Sequence, residues 1–238
     1  MNRNIFLIII LFTTFPETGL FGIYLQMQNN FSSNILVQDT TNERQILYNG
    51  TIWTNRYHRI KGDQFLFSGL FLPATVSKNG KTFKNVSIKY DIYSDEIITP
   101  VNSEDILQLN KEMVDSFTLS FENKTYKFTN IQADTLKGFK GYINVLYKGK
   151  SALYIKYKKT ITPAITSQSD GAFNQTDQIY FRKGNNIYPI KNTEDLIKIL
   201  NAQKDQLKNF IRKNNLKVSR KIPESFIAVV RYYDSIIQ

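Results

Sequence analysis

Val86, Ile88, Tyr90 and Ile92 alternate with Asn85, Ser87, Lys89 and Asp91, so every second side chain is apolar. A side-chain period of two belongs to a strand with one buried and one wet face, and it excludes an amphipathic helix over this stretch. The alternation returns at Phe117, Leu119 and Phe121, and again at Tyr126 and Phe128. Asn123-Lys124 between them reads as a two-residue turn, pairing Phe121 with Tyr126 and Leu119 with Phe128. Both apolar sets then share one face, as a hairpin requires.

The segment Gly141 to Lys158 passes the same test. A three-residue loop at Lys148-Gly149-Lys150 sets Val145 against Leu153 and Ile143 against Ile155, leaving Tyr142, Asn144, Tyr154 and Lys156 on the opposite, wetter face. A turn at Gly184-Asn185 pairs Phe181 with Tyr188. Lys78-Asn79-Gly80-Lys81 is a strong hairpin signal, but simple register places Phe83 and Val86 on different faces, a conflict that a bulge would resolve. Residues 64–191 therefore read as a predominantly antiparallel β domain, a meander or a sandwich- or barrel-like sheet. Residues 23–63 are polar and irregular, with short strand signals only.

At Asn192 the period changes. Asn192 can cap a helix whose Leu196, Ile197, Ile199 and Leu200 form an apolar stripe. A second helix carries Leu207, Phe210 and Ile211 and stops at Asn214-Asn215. Pro223 suits the first turn of a third, in which Phe226, Val229, Val230, Tyr233, Ile236 and Ile237 recur at helical spacing. Helices this short cannot bury their stripes alone, so residues 192–238 must pack as a small bundle or lie across the sheet. The fold class is α+β.

At the other end, Arg3 precedes an apolar run from Ile5 to Phe15 that stops at Pro16. That run is about 11 residues long, against the ~20 a helix needs to cross a bilayer, and it matches a secretory signal peptide over residues 1–22. The expected compartment is periplasmic, outer-membrane-associated or secreted, with no transmembrane helix once the signal is removed. Cysteine is absent, which excludes disulfides, thiolate metal sites, a cysteine nucleophile and a lipoprotein anchor.

The residues give little support to an enzyme, and none to a cofactor or metal. His58 is the single histidine and sits in cationic Arg56-Tyr57-His58-Arg59, so it reads as a structural or surface residue. There is no Gly-x-Ser-x-Gly elbow and no Ser-x-x-Lys pair. Gly80-Lys81-Thr82 and Gly149-Lys150-Ser151 imitate phosphate loops, but the preceding glycine is missing and both fall in hairpin turns. Asp91, Asp95 and Glu96 look like turn residues serving local hydrogen bonds, and Glu104, Asp105, Glu112 and Asp115 are scattered.

Charge is more informative. Lys198, Lys204, Lys208, Arg212, Lys213, Lys217, Arg220 and Lys221 face one acid, Asp205, so this window holds eight minus one, or +7, of the total +11. Lys204, Lys208 and Arg212 recur every fourth residue and should form one ridge opposite Leu207 and Phe210–Ile211, with Lys213 beside it. Such a ridge attracts polyanions, or is simply a solvated helix face. Export makes nucleic acid a poor partner, and an anionic envelope glycan, lipid headgroups or an envelope protein better ones. A second candidate contact is the sheet face with Tyr142, Tyr154 and Lys156, as a stacking platform or as plain cross-strand pairs.

Several strings together resemble a known group. They are Lys61-Gly62-Asp63-Gln64-Phe65-Leu66-Phe67, Tyr90-Asp91-Ile92-Tyr93-Ser94-Asp95-Glu96-Ile97, Leu109-Asn110-Lys111-Glu112-Met113, Val145-Leu146-Tyr147-Lys148-Gly149-Lys150 and Val230-Arg231-Tyr232-Tyr233. With these the chain resembles uncharacterised exported proteins of Bacteroidetes. In that group a signal peptide, a β-rich region and a lysine-rich helical tail follow one another. The resemblance implies compartment and layout, and no activity. The expected function is thus a non-catalytic binding or envelope protein. The alternatives are a carboxylate-dependent enzyme acting on envelope glycans and a structural component of an outer-membrane assembly.

Overall fold

The computed structural model describes residues 45–132, 139–164 and 170–237. The expected signal peptide lies outside the described residues. The chain divides between Ile46 and Leu47, and the unit from Leu47 onward carries the sheet and the helices.

Consecutive hairpins build most of the sheet. Strands β3 (Leu72–Lys78), β4 (Lys81–Asp91), β5 (Glu96–Pro100) and β6 (Ile106–Leu109) meander one way, and β1 (Gly50–Ile52) flanks β6 at the edge. Strands β7 (Val114–Phe121), β8 (Lys124–Ile131), β9 (Gly141–Lys148), β10 (Ser151–Pro163), β11 (Gly171–Lys183) and β12 (Asn186–Ile190) meander the other way. The halves join where β7 pairs antiparallel with β3. Strand β2 (Ile60–Lys61) lies parallel to the start of β11. Short strands β1 and β2 thus draw residues 50–52 and 60–61 into the same sheet.

The sheet is open but strongly curled. The rings of Tyr90 on β4 and Tyr142 on β9 are 5.7 Å apart. Four ladder steps separate these strands, which would span ~19 Å in a flat sheet. Val76, Val86, Ile88, Tyr90, Phe117, Leu119 and Phe128 are all buried, most of them on the concave face, where Phe117 and Phe128 stack at 4.6 Å. One backbone bond, from Lys159 N–H to the Ile92 carbonyl at 3.1 Å, ties β10 to the β4–β5 turn across the opening.

Turn geometry explains where the registers differ from expectation. Glu122 and Asn123 both have positive φ, 46° and 61°, so they form the two-residue turn, and Phe121 pairs with Lys124 instead of Tyr126. The shift is two residues, so Leu119 meets Tyr126 and Phe117 meets Phe128 with every side chain still on its expected face. Asn79 and Gly80 form the turn before β4, and Val76 pairs with Phe83 while Ala74 pairs with Val86. The intervening irregularity, with Asn85 at φ 55°, is the bulge that the Phe83–Val86 conflict required. Phe181 pairs with Tyr188 as expected.

The β9–β10 hairpin differs in kind. Lys148 pairs with Ala152, Tyr147 with Leu153, Val145 with Tyr154 and Asn144 with Ile155. The loop is Gly149-Lys150-Ser151, and a shift opposite Leu153–Tyr154 leaves Leu146 unpaired. Tyr142 and Tyr154 are therefore on opposite faces of the sheet. Their expected common wet face does not exist: Tyr142 is 1% and Tyr154 5% exposed.

Helix α1 (Thr193–Ile199) starts at Asn192, whose side-chain oxygen accepts from the Asp195 amide. Helix α2 (Lys204–Lys213) ends before Asn215 at φ 49°, and α3 (Phe226–Ile236) follows a 3-10 turn opened by Pro223. The helices share one core with the sheet. Leu196, Leu200, Leu207, Phe226, Val229, Val230 and Tyr233 pack on Leu153, Ile179, Phe181 and Ile190. Among the described residues no helix is long and apolar enough to cross a membrane.

Candidate functional site

The basic ridge forms as the spacing requires. Lys204, Lys208 and Arg212 are all exposed on α2, but their ridge flanks the apolar stripe and does not lie opposite it as expected. Lys204 lies one turn before the buried Leu207 and Lys208 one turn before Ile211, so Ile211 shares a concavity with the three cations. Together with Lys198 of α1 they rim a groove of about 480 Å³ whose floor is formed by Ile197 and Ile211. Thr193 and Glu194 line its α1 end. Lys213 is exposed but stands outside the groove. Among the described residues none of Lys198, Lys204, Lys208, Arg212 and Lys213 is ion-paired with a carboxylate. Arg212 is steadied by a 3.0 Å hydrogen bond to the Asn209 side chain.

A second concavity, of about 410 Å³, lies between β1, β5, β6, β8 and the 3-10 turn at Lys111–Met113. Its chemistry is mixed: Glu96, Glu112, Lys111 and Lys140 line it with the amides Asn49, Gln108 and Asn130. Burial pushes the Glu96 carboxyl up to about 7, with Lys111 opposing and Asp95 and Asp91 adding to the rise. Its unfolded value is ~4.3, so the native state holds the proton more tightly, and stability falls as pH climbs through that interval. Glu96→Gln removes the loss. Urea titrations should show the variant gaining on the parent from pH 5 to pH 8, by about 1 kcal/mol once partial exposure is allowed for. A parent stability that is flat across this range would contradict the assignment.

Asp95, expected to serve its own turn, instead gathers distant groups behind this cleft. It accepts from Tyr90 Oη at 2.5 Å, Lys111 Nζ at 2.7 Å, Lys156 Nζ at 2.7 Å and the Tyr142 amide at 3.3 Å. Burial would raise its pKa, but Lys156 and Lys111 outweigh that and hold the carboxyl below its ordinary range. Two ammonium groups share one carboxylate here, and burial holds Lys156 below the ordinary lysine value. Lys156 also donates to the Tyr142 carbonyl at 2.7 Å. The proposed sheet-face contact through Tyr142, Tyr154 and Lys156 is therefore corrected: two rings are buried and the cation is engaged.

Asp91 does act locally, accepting from the Tyr93 and Ser94 amides at 2.8 and 2.9 Å. His58 is exposed. Both phosphate-loop imitations are hairpin turns, at β3–β4 and β9–β10. Among the described residues no group of three metal-ligating side chains converges. Sequence reasoning missed the Glu96 cleft because its lining comes from five separate segments. Comparisons with family models, curated proteins and solved structures find no match to this chain.

Proposed function

We propose that this is an exported, non-catalytic binding protein that holds an anionic envelope partner on the Lys204–Lys208–Arg212 ridge. The observation that carries the reading is the alignment of these three cations with Lys198 around one groove, without carboxylate partners among the described residues. Clustered unpaired cations raise the local concentration of anions and steer their approach. The apolar run of residues 5–15 and the resemblance to exported Bacteroidetes proteins support the compartment.

The test is capture from native envelope extract at low and high salt, comparing residues 23–238 with the same chain carrying Lys204→Glu, Lys208→Glu and Arg212→Glu. Capture by the parent that salt releases and the triple variant lacks is the expected result. Equal recovery by both baits would reduce the ridge to a solvated surface.

A specific observation also favours the enzymatic reading. Glu96 and Glu112 line one cleft, and a carboxyl with pKa about 7 is suited to donate a proton near neutral pH. Hydrolysis of envelope glycan that Glu96→Gln and Glu112→Gln each abolish would establish it. Among the described residues the outer strands are short, three residues in β1 and five in β12, but β12 pairs only with Ile179–Lys183 of β11 and β2 only with Gly171–Ala172, so residues 173–178 of β11 leave an edge that an assembly partner could extend.

A further inference from the structure

The basic groove has two chemistries, and a polar polyanion satisfies one of them. Lys198, Lys204, Lys208 and Arg212 supply the rim, while the floor is Ile197 and Ile211 together with the aliphatic stems of the same long side chains. Ile211 is half-buried against the core formed by Leu207 and Phe226, so its outer part faces the groove. A sulfated or carboxylated glycan could neutralise the rim but would leave this floor uncovered. A molecule with an anionic head and a hydrocarbon chain covers both. The groove's volume, about 480 Å³, lies in the range of sites that take small ligands.

We propose that the α1–α2 groove seats an anionic membrane lipid, its phosphate among Lys204, Lys208 and Arg212 and the first part of its acyl chain over Ile197 and Ile211. This rests on the ridge being the binding surface and narrows its ligand from any polyanion to an anionic amphiphile. The protein would lie against a leaflet through α1 and α2. The distribution of charge agrees with that placement, because the surrounding Lys213 and Lys217 are exposed too and would add attraction to a negatively charged surface. Glu194, at the α1 end, marks the part of the groove where a second anionic group would be repelled.

Co-sedimentation of residues 23–238 with vesicles tests this, using phosphatidylcholine alone and phosphatidylcholine with 30% phosphatidylglycerol, beside binding to immobilised heparin. Two variants accompany the parent: the triple charge reversal and Ile211→Ser, each checked for an unchanged thermal unfolding midpoint. Binding to anionic vesicles but not to neutral ones is expected, and the triple reversal should weaken it about 100-fold, at roughly tenfold or less per lost basic contact. Ile211→Ser should weaken vesicle binding about fivefold while leaving heparin binding unchanged. Should Ile211→Ser unfold the helices, Ile211→Val, which keeps an apolar floor, must bind vesicles as the parent does. Heparin binding that depends on the ridge, with anionic vesicles bound no better than neutral ones, overturns the lipid and leaves the polyanion reading standing. Vesicle binding indifferent to Ile211→Ser does the same. Loss of nothing on charge reversal, for heparin and vesicles alike, overturns both.

Discussion

Asp95→Ala is expected to destabilise the protein by about 3–4 kcal/mol, measured by urea unfolding at pH 7, because it strands two partly buried ammonium groups. The side chains of Lys111, Lys156 and Asp95 are 22%, 18% and 20% exposed, so none recovers full hydration when the carboxylate goes. The loss reaches further than one ion pair. Asp95 joins β4 through Tyr90, the Lys111 turn, β9 through the Tyr142 amide and β10 through Lys156, and these elements meet across the open side of the curled sheet. Tyr90→Phe, which removes one hydroxyl bond, should cost only about 1 kcal/mol. The pH dependence has a definite sign. The folded pKa of Asp95 lies below its unfolded value of ~3.9, so its contribution is complete above that value and disappears as pH falls through the folded one. Parent and Asp95→Ala stabilities should therefore converge as pH falls below about 4. A gap that persists unchanged in acid would mean that packing, and not charge, sets the loss.

Gly141 enforces the same contact. It opens β9 at φ 96°, and a methyl group there would overlap the Asp95 carboxylate. Gly141→Ala thus combines backbone strain with displacement of the carboxylate, and its effect should be much smaller in an Asp95→Ala background.

The second large effect is expected at Asp234, a carboxylate on α3 that is 8% exposed. It accepts from the Ser151 amide at 3.0 and 3.1 Å and from Tyr147 Oη at 3.0 Å, fastening the β9–β10 turn to the last helix. Asp234→Ala should cost about 2–3 kcal/mol, since a buried amide and a hydroxyl each lose their acceptor. Gly149→Ala should approach it, because a methyl group at Gly149 would overlap both the Asp234 carboxylate and the Tyr147 hydroxyl. Hydrogen exchange distinguishes this clasp from the one at Asp95. Asp234→Ala should raise exchange first in α3, where Val229, Val230 and Tyr233 cover Phe181, whereas Asp95→Ala should act first on β4 and β9. Uniform loss of protection in both variants would show that the two clasps belong to one cooperative unit.

Much of this architecture was legible in advance, for local reasons. The alternation at Val86–Ile92 names four side chains, and all four are buried. The Phe83–Val86 conflict pointed to a bulge from the period alone, because no straight strand can place residues three apart on one face. Asn192 and Pro223 are read at helix starts because they satisfy or omit the first amides wherever a helix begins. The ridge was legible for the same reason, since a spacing of four residues aligns side chains on any α-helix.

What escaped is governed by contacts distant in sequence. Asp95 and Lys156 are 61 residues apart, and no local pattern distinguishes such an aspartate from an ordinary turn residue. The groove floor joins α1 to α2, so Ile197 and Ile211 acquire a common role only when the two helices pack.

The β9–β10 hairpin shows where the division lies. The sequence by itself determined that two strands and a glycine-containing turn would form here, because alternation and turn chemistry act within a few residues. The tertiary structure decided the register. Asp234, 83 residues away from Ser151, holds that residue's amide, so the loop is Gly149-Lys150-Ser151. The shift leaves Leu146 unpaired, and one unpaired residue in a strand with a side-chain period of two sends Tyr142 and Tyr154 to opposite faces.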